Sequence, residues 1–133
     1  MSKSYGNTIP LFLTEKKLKK YINKIKTNLL EPGEPKDPDD SAVFQIWQAF
    51  ASQGQIAEMR SEFANGIAWG EAKRQLFELV NEQLKEPREE YLRLLENPAE
   101  VEAVLQVGAV KARDHSSKLV AKVRSAVGIR PLG

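Results

Sequence analysis

Asn97-Pro98-Ala99-Glu100 opens the stretch NPAEVEAVLQVGAVKARDHSSKLVAKVRSAVG, residues 97–128. Those first four residues spell a helix start. The asparagine side chain can accept from donors that the first turn leaves open. Proline at the first helical position gives up an N–H that has no partner there. A glutamate three residues after the cap can reach back to it. The pattern then runs 30 residues, from Pro98 to Val127, before Gly128 and Pro131 end it. An unbroken helix of that length measures about 45 Å. Gly108 is a candidate interruption.

Upstream segments read the same way. Ala72, Leu76, Phe77, Val80 and Leu84 recur at helical spacing after Trp69-Gly70, and Tyr91, Leu94 and Leu95 continue an apolar face. Pro87 either kinks this helix or begins a new one. A shorter helix holds Ile56, Met59 and Phe63 and stops at Asn65-Gly66, where left-handed backbone is favoured. Another carries Val43, Phe44, Ile46, Trp47, Phe50 and Ala51, capped by Asp40 or Ser41. The first is expected from a cap at Thr14 to about Leu29, with Leu18, Tyr21, Ile22, Ile25 and Leu29 as its buried stripe. Residues 31–40, Glu-Pro-Gly-Glu-Pro-Lys-Asp-Pro-Asp-Asp, hold three prolines and a glycine and read as a loop. No stretch alternates with period two, and there is no internal repeat. The expectation is an all-α fold, a helical bundle of five to six helices behind an irregular N-terminal segment.

Composition narrows the function. The chain has 133 residues, of which 41% are apolar and 29% charged, enough for one packed domain. With no cysteine and one histidine, His115, it offers no disulfide scaffold, thiolate zinc site, cysteine nucleophile or histidine-based catalytic metal site. No apolar run approaches ~18 residues, the minimum for a membrane span, and no apolar stretch follows the first basic residues as a signal peptide requires. A cytoplasmic protein without a membrane partner is expected.

Charge is distributed unevenly. Residues 1–30 carry seven lysines and one glutamate, whereas residues 31–40 have a balance of −4 and residues 98–133 one of +3. Lys16, Lys20 and Lys24 lie four apart on one helix face. Basic ends around an acidic middle suit a surface that meets phosphate at selected places, or else simply solvated helix faces.

Met1-Ser2-Lys3-Ser4 carries the chemistry. It resembles the second signature of class I aminoacyl-tRNA synthetases, Lys-Met-Ser-Lys-Ser, with the leading lysine absent. The longer run through Tyr5-Gly6-Asn7-Thr8-Ile9-Pro10-Leu11-Phe12 is similar to the extended motif of bacterial-type tryptophanyl-tRNA synthetases. So are Gly66-Ile67-Ala68-Trp69-Gly70-Glu71-Ala72-Lys73, Pro87-Arg88-Glu89-Glu90-Tyr91 and Gly108-Ala109-Val110-Lys111-Ala112-Arg113, in the same order. The resemblance covers nearly the whole chain and points to the C-terminal part of that family. It implies residues 1–13 as signature loop and linker, and residues 14–133 as a helical, anticodon-binding-type domain. The family's other signature, His-Ile-Gly-His, is absent from this sequence, as is any glycine-rich strand–turn–helix of a nucleotide-binding sheet.

What the resemblance implies for the residues follows from phosphoryl chemistry. Forming an aminoacyl adenylate drives a carboxylate onto the α-phosphate of ATP, and pyrophosphate leaves. A cation beside the departing phosphates stabilises that transition state. Lys3 is the catalytic candidate, with Met1, Ser2, Lys3 and Ser4 as the ATP-binding set. ATP with Mg²⁺ would serve the full-length enzyme, with none expected on this chain alone and no metal held by its own side chains. The partner implied is tRNA(Trp), with tryptophan and ATP held only through the nucleotide-binding domain, and the full-length enzyme a homodimer. A tryptophan anticodon begins with two cytosines, whose N4 amino groups suit carboxylate acceptors. Lys36 and Asp37 in the acidic loop are the base-contact candidates, against a solvated linker whose aspartates only cap the next helix. Lys16, Lys20 and Lys24 are the phosphate-contact candidates. The other readings are a non-catalytic helical interaction module and the same region of another class I synthetase. On the synthetase reading the isolated chain does not activate tryptophan. Clear tryptophan-dependent ATP–pyrophosphate exchange by the purified chain would overturn that expectation.

Overall fold

Among the described residues, five α-helices form, each built on an apolar stripe or a helix-start signal seen in the sequence. The computed structural model describes Ser4 and residues 8–129, with α1 at Glu15–Asn23, α2 at Ala42–Phe50, α3 at Gln53–Ala64, α4 at Trp69–Glu96 and α5 at Pro98–Ala126. Among the described residues there is no strand. The chain divides into two compact units, Met1–Tyr91 and Leu92–Gly133.

The first unit holds the core. Leu18 and Ile22 of α1, Val43, Phe44 and Trp47 of α2, Met59 and Phe63 of α3, and Ala72, Leu76, Phe77 and Val80 of α4 are all buried. Each set repeats at three or four residues, so each helix turns one stripe inward. Phe63 sits at the centre, meeting Phe44 edge-on at 5.4 Å and Trp69 at 5.6 Å between centroids. Such edge contacts bring the positive ring rim to a negative face.

Caps fix the register. The Ser41 hydroxyl accepts from the Phe44 N–H at 3.3 Å and starts α2. Ser52 and Gln55 form a reciprocal capping box at the start of α3. Gly66, at φ +82°, closes α3, with the Ile67 N–H reaching back to the Glu62 carbonyl at 2.9 Å. Only glycine enters that backbone region without strain.

Several sequence expectations need correcting. α1 ends at Asn23 rather than near Leu29, and Leu29 is 98% exposed. The Lys73 ammonium takes the Asn23 and Ile25 carbonyls at 3.2 and 2.7 Å, ending the helix from outside. The Asn28 carboxamide then accepts from the Leu30 N–H at 3.2 Å, a local bond that competes with helix. Tyr21 of the expected stripe is exposed. Tyr91 and Leu95, expected in the core, are exposed as well; Tyr91 stacks on Phe12 at 4.7 Å instead. Pro87 lies inside α4, and Gly108 lies inside α5 without interrupting it.

The second unit contains the last turn of α4 and all of α5. Pro98 stands at the start of α5 as expected, but the Asn97 side chain does not cap it. Its amide donates backwards to the Arg93 carbonyl at 2.8 Å, and the Glu100 carboxylate forks onto Arg93 at 2.6 and 2.8 Å. The guanidinium, a charged partner, outcompetes a backbone N–H for that carboxylate. No residue of α5 is buried.

The two left-handed glycines at residues 33 and 66 should respond differently to substitution. A Cβ on Gly66 would meet the Gly33 backbone at 2.4 Å, whereas a Cβ on Gly33 meets nothing within 4 Å. Gly33→Ala should cost about 1–2 kcal/mol, the backbone strain alone. Gly66→Ala adds a clash and should exceed ~3 kcal/mol. Urea unfolding of both variants measures the difference; equal costs would show that the two backbones do not touch.

Candidate nucleic-acid interface

The three prolines of residues 31–40 keep the segment out of helix, and its backbone donors turn to the end of α3. The Gly33 N–H donates to the Gly66 carbonyl at 2.8 Å, and the Lys36 N–H to the Phe63 carbonyl at 2.9 Å. The last carbonyls of a helix have no intrahelical donors, so this docking satisfies both partners.

Lys36 is the pivot of the loop's first half. It is 3% exposed. Its ammonium donates to the Glu31 carbonyl at 2.8 Å and the Glu34 carbonyl at 2.9 Å, and lies 5.6 Å from the Trp69 ring centroid. The Glu34 carboxylate accepts from the Glu31 N–H. Trp69 is itself fixed, because its indole N–H donates to the Asn28 carboxamide at 3.0 Å. Trp69 and Lys73 lie four residues apart on α4, so one helix face anchors both this loop and the end of α1.

The second half presents carboxylates. Asp37 is exposed, and one of its oxygens accepts from the Asp39 N–H at 2.9 Å. Asp39 forks onto Arg60 of α3 at 2.7 and 3.3 Å. The Arg60 guanidinium carbon lies 4.9 Å from the Phe44 centroid, which adds a cation–π contact. Hydrogen bonding from Arg60, helped by its charge, holds the Asp39 carboxyl below the usual aspartate range, and Asp39 pushes the Arg60 guanidinium up. On α4, Glu71 is held down to about 2 by hydrogen bonds from Arg74 and Gln75. Burial alone lowers Lys73.

The candidate residues therefore separate. Met1, Ser2 and Lys3 lie outside the described residues, and Ser4 is exposed. Lys16 and Lys20 on α1 and Lys24 at its C-cap are exposed, as a phosphate-facing set requires. Lys36 and Asp37, adjacent in sequence, point to opposite environments, one internal and one solvated. Trp69 is a partly buried anchor rather than an open stacking platform. The sequence reading missed Arg60, Lys73 and Asn28. Arg60 lies 21 residues from its aspartate, and Lys73 48 residues from its nearest carbonyl, so no local pattern announced either. Among the described residues no group of three or more His, Cys, Asp or Glu side chains is placed to hold a metal ion, and no helix is long and apolar enough to cross a membrane.

No family profile matches the chain. Curated relatives do, along nearly its full length. The tryptophan–tRNA ligase of Neisseria meningitidis is 54% identical over 99% of this chain and 39% of the relative. The Pseudomonas syringae tryptophan–tRNA ligase is 51% identical over 98% of this chain and 29% of the relative. Among solved structures, the Campylobacter jejuni tryptophanyl-tRNA synthetase complexed with ADP and tryptophan superposes with a TM-score of 0.87 at 39% identity, covering 96% of this chain and 40% of that one. The chain thus spans roughly a third of the length of the curated relatives.

The Asp39–Arg60 pair gives a pH signature. A depressed carboxyl contributes stability above its unfolded pKa and loses it as pH falls through the lower folded value. Asp39→Asn should therefore melt slightly lower than wild type near neutral pH, and the two curves should converge well below the ordinary aspartate range. Thermal melts by circular dichroism across pH 2–7 test this; a gap that persists at the acid end would assign the effect to something other than the ion pair.

Proposed function

Because this chain belongs to the tryptophanyl-tRNA synthetase family, as a region about a third of its relatives' length, we propose that it contributes two parts to a tryptophan–tRNA ligase. Residues 1–13 supply the signature loop at the ATP phosphates, and residues 14–133 form a helical domain of the anticodon-binding type. The observation that carries this is identity of 54% over 99% of the chain to one such ligase.

In the whole ligase, ATP-dependent attachment of tryptophan begins when the amino-acid carboxylate attacks the α-phosphorus and pyrophosphate departs. Lys3 places a mobile charge against the leaving phosphates, where negative charge grows. Met1, Ser2 and Ser4 complete the loop, and the hydroxyls and small volume of Ser2 and Ser4 let its backbone approach phosphate. Tryptophan and the adenine of ATP bind to parts of the ligase outside this sequence, and Mg²⁺ enters with the nucleotide. The whole enzyme works as a homodimer in the cytoplasm.

The helical domain meets tRNA(Trp) in two ways. Lys16, Lys20 and Lys24 lie along phosphates and set register. Asp37, an exposed carboxylate of the acidic loop, accepts from a cytosine amino group of the anticodon. Phosphate and base contacts have different signatures in one titration. Each lysine–phosphate contact adds ~0.7–0.9 to the slope of log affinity against log salt. Changing Lys16, Lys20 and Lys24 together to glutamine should lower that slope by about 2–3 while preference for tryptophan-identity tRNA remains. An unchanged slope would remove these lysines from the interface, and equal binding of unrelated tRNAs by the wild-type chain would sink the anticodon reading.

A further inference from the structure

Lys36 is the least solvated charged residue in the described chain, and the reading above gives its ammonium nothing to do. Two of its donors go to internal receivers, the Glu31 carbonyl at 2.8 Å and the Glu34 carbonyl at 2.9 Å, and its charge lies 5.6 Å from the Trp69 ring centroid. An ammonium is strongly hydrated, and burying one is unfavourable unless its hydrogen bonds are replaced. Here they are replaced by backbone carbonyls of its own loop. The side chain gathers residues 31–36 around one point, while its backbone N–H fastens the same loop to the Phe63 carbonyl. The next residue is Asp37, exposed, with one oxygen accepting from the Asp39 N–H and its charge felt by Arg60.

We infer that Lys36 is a positioning residue: it locks the first half of the loop against α3 and Trp69, so that Asp37 is presented to the anticodon base in a fixed orientation, and it does not itself touch tRNA. This rests on the anticodon role proposed for the loop. It revises the pairing of Lys36 and Asp37 as joint contacts, because a buried ammonium with two internal hydrogen bonds must break them to reach a phosphate or a base. A loop left loose at Lys36 would still bind tRNA through the α1 lysines but would no longer hold a carboxylate to one base edge. Lys36 therefore governs discrimination, and the α1 lysines govern affinity and salt dependence.

The test compares the whole chain with its Lys36→Met and Asp37→Asn variants. Each is titrated with a tryptophan-identity tRNA transcript and with the same transcript carrying uracil for the first anticodon cytosine. Wild type should prefer the first by about 10-fold or more, as one good base contact allows. Lys36→Met should bring the ratio close to one, as Asp37→Asn does, with the salt slope unchanged. A folded Lys36→Met variant that keeps the wild-type ratio while Asp37→Asn loses it overturns the inference and leaves the anticodon reading intact. A wild-type ratio of one overturns both. A second measurement needs no variant. In ammonium-selective ¹H–¹⁵N spectra of the wild-type chain, the Lys36 Nζ signal should stay in place when tRNA is added while signals from the α1 lysines move. A shift of the Lys36 signal on a par with theirs would make it a contact residue and overturn the inference.

Discussion

The backbones at Gly33 and Gly66 touch, and much of the first unit is arranged around that contact. Both residues have positive φ, and a Cβ on Gly66 would fall 2.4 Å from the Gly33 carbonyl carbon. This close approach lets the Gly33 N–H reach the Gly66 carbonyl and brings Lys36 within reach of Phe63 and Trp69. The helix end then finds donors in the loop, and the proline-rich loop finds acceptors in the helix end.

The helices were legible because burial leaves a period in the sequence. Val43, Phe44 and Trp47, or Ala72, Leu76, Phe77 and Val80, repeat at three and four residues and are buried as that spacing requires. The Asn65-Gly66 stop was legible for a similar reason, since only a few residue types favour left-handed backbone. What escaped was decided by partners distant in sequence. Leu29 fits the stripe of α1, yet Lys73, far along the chain, takes the carbonyls that would have continued the helix. Tyr91 and Leu95 fit the stripe of α4 and are exposed, Tyr91 stacking on Phe12 instead of entering the core. Asn97 and Glu100 match a capping pattern, yet Arg93 claims both. Of the candidate site, the exposed lysines and Asp37 could be read from charge and loop composition. The internal fate of Lys36 could not, because its receivers are backbone carbonyls and an indole ring that no motif encodes.

Lysines near the acidic loop and the first helix illustrate why net charge is a coarse guide. Lys16, Lys20 and Lys24 are exposed. Lys19 extends over the Phe77 ring at 5.6 Å, Lys36 is enclosed, and Lys73 ties down α1. A lysine stem packs well on apolar surface, so the same residue type serves as solvent-facing charge or internal fastener according to what lies within reach. The described lysines of the basic N-terminal segment are all exposed, and the internal fasteners Lys36 and Lys73 come from outside it.

The second unit follows a different physical regime. α5 is 29 residues long, buries no residue, and leaves Val104, Leu105 and Leu119 more than half exposed. Its backbone bonds are secured by helix length and local pairs rather than by a core, the regime in which helices fray from their ends. Amide hydrogens would record the contrast as two classes. Those beneath the Phe63 cluster exchange only when the whole packed unit opens, and those of α5 exchange through local openings that leave the unit beneath Phe63 folded.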